Sequence, residues 1–144
     1  MSVPGASIVR ATWIGTIVFV VALGIGVIDL DLVAVTVVVS LVLFSIGTAA
    51  FLAGYLKAIG RSRYEAIGMG GLFFLVGSAP RHVQVLMMSA FGVQVVVGLV
   101  AASIRIYTPV AFGLLVPMYG LGLAGLWGAT HGEFPPRPPS PTVE

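Results

Sequence analysis

The apolar residues of this chain neither alternate nor gather on one helical stripe; they form continuous runs. Charged side chains separate them into uncharged stretches at residues 11–28, 32–56, 66–80, 83–104 and 106–130. A helix rises about 1.5 Å per residue and the hydrocarbon core of a bilayer is about 30 Å thick, so four of these runs are long enough to cross it as helices. The third would reach only about 22 Å. It also carries Gly68, Gly70, Gly71 and Gly77, which weaken a helix, and ends at Pro80, which disfavours a helical residue before it. The pattern therefore predicts an all-α, polytopic transmembrane bundle. Its four spans lie at about 11–28, 32–56, 83–104 and 108–129, and residues 67–79 form a short glycine-rich interfacial or re-entrant segment. Phe73, Phe74 and Leu75 are expected to anchor that segment in lipid or in the bundle.

Composition explains why lipid must be the solvent. Of the 144 residues, 58% are hydrophobic and 8% charged, against about 25% charged in a soluble domain. Mean hydropathy is +1.11. The first run has one basic residue before it, Arg10, and resembles a secretory signal in that respect. It is longer than a signal core and ends in Asp29-Leu30-Asp31 without a small-residue cleavage pattern, so it reads as a retained anchor. With four spans, Arg10, Lys57, Arg61, Arg63, Arg81 and Arg137 share one side and Arg105 stands alone on the other. The positive-inside bias then puts both termini in the cytoplasm of a plasma-membrane protein. Residues 1–130 make the membrane domain. Residues 131–144, rich in proline, are expected to be a disordered cytoplasmic tail that favours an extended polyproline conformation.

The absence of cysteine excludes thiolate catalysis, cysteine zinc sites and iron–sulfur clusters. No basic stripe interleaved with aromatics marks nucleic-acid binding, and no pattern implies a cofactor. No ionisable residue lies in the middle of a span, which argues against a proton-coupled exporter. Small multidrug exporters have a similar size and span count, but their first-helix glutamate has no counterpart here. Asp29 and Asp31 read as a solvated turn, because two carboxylates with no third ligand make a poor metal site. Trp13, Tyr55, Tyr64, Tyr107 and Trp127 fall near span ends, as in an aromatic belt.

Small residues recur at Gly113, Pro117, Gly120, Ala124 and Gly128, at Ala50 and Gly54, and at Gly98 and Ala102, where they allow helices to approach closely. Pro117 is the candidate kink of the fourth span. Gln94 is the one strongly polar side chain near mid-span and shares a face with Ala90, Gly98 and Ala101. An amide in hydrocarbon must find partners, and by depth Tyr119 and Ser45 are the candidates for a buried polar contact. At the inner surface, Glu65, His82, His131 and Glu133 form a candidate cluster without any spacing that catalysis requires.

The stretches Gly70-Gly71-Leu72-Phe73-Phe74-Leu75-Val76-Gly77-Ser78-Ala79-Pro80 and Ala111-Phe112-Gly113-Leu114-Leu115-Val116-Pro117-Met118-Tyr119-Gly120, continuing to Ala129, resemble small uncharacterised membrane proteins of high-G+C Gram-positive bacteria. That resemblance covers most of the chain after Lys57. It implies a bacterial plasma membrane and four helices, and it carries over no activity and no functional residue. The expected function is a non-enzymatic accessory or scaffold subunit whose partners are the bilayer and either its own copies or a larger membrane complex. The alternatives are a small transporter or channel, and an enzyme acting on lipid at the inner surface.

Overall fold

The structure, a computed structural model, describes residues 5–138. It is an all-α bundle. Helix α1 (Ala6–Ile28) crosses first, and a 3-10 turn (Leu30–Leu32) leads into α2 (Val33–Arg61), which returns. A five-residue helix, α3 (Met69–Phe73), follows, then α4 (Arg81–Ile104). The last crossing is composite: a 3-10 segment (Pro109–Leu115) and then α5 (Pro117–His131). Four segments, Ala6–Ile28, Leu30–Arg61, Arg81–Ile104 and Pro109–His131, are long and apolar enough to span a membrane.

Side-chain bonds to main-chain carbonyls define the two ends of the bundle. At one end Trp13 Nε1 donates to the Leu86 carbonyl, and Arg61 reaches the end of α5. At the other, Arg105 Nε donates to the Val27 carbonyl and Thr36 Oγ1 to that of Ala22. Six of the seven basic residues therefore gather toward the first end, as the charge pattern requires of four crossings.

The fourth crossing is the core. In its most apolar stretch 56% of residues are buried, against 22% for the second crossing. Its most extensive contact is with α2, and glycines set that distance. A Cβ on Gly122 would overlap the Gly47 carbonyl oxygen, so the two backbones touch without side chains between them. Such close approach lets dispersion act where no hydrophobic effect separates helix from lipid.

Residues 67–79 do not span. Helix α3 and the turn after it fold at the Arg61 end and pack under α5. Phe73 is buried, stacks on Phe51 at 4.8 Å between centroids and lies over Gly125. Leu75, also buried, adopts φ 58°, a left-handed conformation unfavourable for a branched side chain. Burial holds it there, while Ser78 Oγ donates to the Gly71 carbonyl and Gln84 Nε2 to that of Phe74. Of the three expected anchors, Phe73 and Leu75 thus face the bundle and Phe74 is exposed.

Two expectations are corrected. The tail is not disordered from residue 131: His131 ends α5, and the next six residues lie along the loops. Glu133 N–H donates to the Ser78 carbonyl, Ala66 N–H to Pro135, and Arg137 N–H to Tyr64. Proline keeps its carbonyl acceptor, so an extended proline segment can pair through carbonyls and through the N–H groups between prolines. The rest of the tail, residues 139–144, lies outside the described residues. Trp127, expected in an interfacial belt, is instead fully buried.

Candidate functional site

Gln94 sits on the buried stripe of α4 with Ala90, Gly98 and Ala101 and has no exposed surface. Its amide joins three helices. Nε2 donates to Thr16 Oγ1 of α1 at 2.8 Å, and Oε1 accepts the Gly120 N–H of α5 at 3.1 Å. Thr16 in turn donates to the Thr12 carbonyl at 2.7 Å, and Thr12 to that of Ile8 at 2.8 Å. The expected partners are not used. Tyr119 is buried but its hydroxyl donates to the Ala11 carbonyl, while Ser45 is exposed and donates to Leu41 of its own helix.

The change of helix type explains the Gly120 contact. Pro117 is the first residue of α5, where a missing N–H is harmless. The Val116 carbonyl, which a regular helix would offer to Gly120, is taken by the Tyr119 N–H at 2.8 Å. Gly120 is left with a free donor inside hydrocarbon, and Gln94 closes it. Only glycine fits there, since a Cβ would lie 2.6 Å from Gln94 Oε1. Pro117 therefore marks the boundary between a 3-10 and an α segment rather than a bend in one helix.

A second set of bonds closes the other end of α5. Arg61 Nη1 donates to the carbonyls of Ala129 at 3.0 Å and Gly128 at 3.5 Å, and Nη2 to that of Gly132 at 2.8 Å. Nη2 also meets Glu65 Oε2 at 2.6 Å, the one ion pair among the described residues, and the guanidinium lies 5.1 Å from the Phe134 ring centroid. The last carbonyls of a helix lack partners and carry its negative dipole end, so a cation there is doubly favourable.

The candidate cluster at the Arg61 end is divided. His131 and Glu133 line a cavity of about 280 Å³ with Ser78, Pro80 and Trp127. The His131 ring is 5.7 Å from that of Trp127. Glu65 is held by Arg61, and His82 is exposed on the first turn of α4; neither lines the cavity. No group of three or more His, Asp or Glu side chains that could hold a metal occurs among the described residues. At the opposite end Asp29 Oδ1 accepts the Asp31 N–H at 2.9 Å, a turn contact.

The Gln94 network is neutral throughout. It contains no nucleophile beside a base and no group that titrates; chemically, it holds a broken helix together. Thr12, Thr16 and the carbonyl-binding role of Arg61 were not expected from the sequence. The four-residue spacing of the threonines on α1 was the available signal for the first two. No family model, curated protein or solved structure matches the chain.

Proposed function

We propose that this chain is a non-enzymatic accessory or scaffold subunit of a bacterial plasma membrane, with both termini cytoplasmic, associating with its own copies or with a larger membrane complex. One observation carries the reading: the one strongly polar mid-span side chain among the described residues is spent on groups of the bundle itself. An amide that bonds Thr16 and Gly120 with no exposed surface is a strut. A small transporter or channel would need such a group to face a pathway, so this placement weighs against that alternative. Purification of the tagged chain from native membranes in mild detergent tests the proposal. A stoichiometric partner or a stable homo-oligomer is expected, and a monomer that captures nothing after cross-linking in intact cells overturns it. Thiol labelling from outside should reach a cysteine at Leu30 and not one at Ser62; the reverse overturns the orientation.

A second reading has one observation in its favour. The cavity that joins His131 and Glu133 lies where an enzyme acting on lipid headgroups at the inner surface would place its site. His131→Ala and Glu133→Gln separate the two: a shared change in membrane lipid composition favours the enzyme, and intact composition favours the scaffold.

A further inference from the structure

An apolar groove of about 320 Å³ lies between α1 and α4 toward the Arg105 end. Its walls are Val20 and Ile28 from α1 and Val96, Val100 and Ile104 from α4, and Gly24 opens its floor. From Val20 to Ile28 the groove follows α1 for about 12 Å at helical rise. Glycine inside a helix is unfavourable relative to alanine. Its α1 neighbours Gly15 and Gly26 are explained by tight contacts, with Tyr119 and with Thr36. Gly24 is not: a Cβ there would meet nothing within 4 Å. The missing side chain serves the depth of the groove and no contact within the chain.

The groove ends at a charged mouth. Arg105 is the only basic residue at this end, and its Nε donates to the carbonyl of Val27, a groove residue, at 2.9 Å. That bond holds the guanidinium at the rim, and its two amino groups form no hydrogen bond or ion pair among the described residues. Asp29 and Asp31 follow two and four residues after Val27 in the exposed turn, and neither forms an ion pair with Arg105. The mouth therefore offers one cation and two anions that do not neutralise each other. A purely anionic headgroup would meet the aspartates as repulsion. A zwitterionic one matches both signs.

We propose that this groove holds one acyl chain of a phosphatidylethanolamine-type lipid, its phosphate on the Arg105 guanidinium and its ammonium toward Asp29 and Asp31. Arginine suits the phosphate because its planar fork binds two oxygens at once. The lipid then acts as an added wall along the groove between α1 and α4.

The test is reconstitution of the full chain into nanodiscs of equal phosphatidylethanolamine and phosphatidylglycerol, followed by native mass spectrometry of the released protein. The wild type should retain one phosphatidylethanolamine in preference to phosphatidylglycerol. Gly24→Phe, whose Cβ meets no atom within 4 Å and whose ring enters the groove, should fold normally and retain both lipids at the bulk ratio. Arg105→Gln should lower retention about fivefold, the effect of one basic residue at a membrane surface. Asp29→Asn combined with Asp31→Asn should keep a bound lipid but lose the preference for phosphatidylethanolamine. Bulk-ratio retention by the wild type overturns the proposal, as does undiminished retention by Gly24→Phe. Cross-linking of a Gly24→Cys chain to a second copy also overturns it, because the groove would then be a seam between copies.

Discussion

The two ends of α5 are closed by the same device in two chemistries. At its start, within the hydrocarbon, a neutral amide from α4 takes the orphan N–H of Gly120. At its finish, near the surface, a guanidinium from α2 takes the carbonyls of Ala129 and Gly132 and shares that of Gly128 with the Gly132 N–H. The difference follows depth. A charge buried at the level of Gln94 would be costly whatever it bonded, whereas an amide is costly only when unpaired. At the level of Arg61, about a quarter of whose side chain is exposed, a cation stays partly hydrated and gains from the helix dipole. Each end also recruits a different helix, so α5 is tied to α4 at one end and to α2 at the other.

If the buried cap dominates, Gln94→Leu should cost about 2–3 kcal/mol, because it leaves the Gly120 donor unpaired in an apolar interior. Unfolding followed in detergent micelles measures this, and the loss should not change with salt. A cost no larger than that of a lipid-facing substitution would break the comparison. Arg61→Ala should be milder, about 1–2 kcal/mol, since water can reach some of the freed carbonyls. Here the loss should shrink in concentrated salt, which screens charge near the surface. Equal salt dependence at both sites would mean that depth is not what distinguishes them.

Tyr119→Phe sharpens the upper end. It removes the bond to Ala11 and should cost about 1 kcal/mol. Tyr119 and Gln94 share no partner, so in the Gln94→Leu background the two losses should add within about 0.5 kcal/mol. A coupling larger than that would mean the two side chains bond each other after all. The smallest effect belongs to Glu65→Gln. The amide retains an acceptor for Arg61, and a part-exposed pair between the last residue of α2 and the turn after it contributes about 0.5 kcal/mol.

How far each end was legible depends on whether its physics is local. That Gln94 faces the bundle follows from its place among Ala90, Gly98 and Ala101. Its partners could not be read by counting depth along a regular helix. A 3-10 segment rises about 2.0 Å per residue, so Pro109–Leu115 displaces everything after it. Ser45 failed for a different reason, because the buried stripe of α2 runs through Leu43, Gly47, Ala50 and Gly54 and leaves position 45 on the lipid side. The four crossings were readable because their length and lack of charge are properties of each segment alone. The Arg61 contacts were not, since their acceptors are main-chain carbonyls nearly seventy residues away, which no side-chain pattern announces. The docked tail was missed likewise, because composition reports that prolines cannot form a helix and says nothing of what their carbonyls can accept.

The most enclosed crossing of the bundle is also the last of the four to be synthesised. When α1, α2 and α4 have already entered the bilayer, the Gly47 backbone, the Gln94 amide and the Arg61 guanidinium all still await groups that have not been synthesised. Assembly of this chain therefore cannot proceed by adding finished helices to a finished core. The first three crossings touch one another through α1, yet the surface they present to α5 is matched only when it arrives. A ribosome stalled before Pro117 would leave an insertion intermediate with its polar groups bared to the membrane, a ready substrate for quality-control proteolysis.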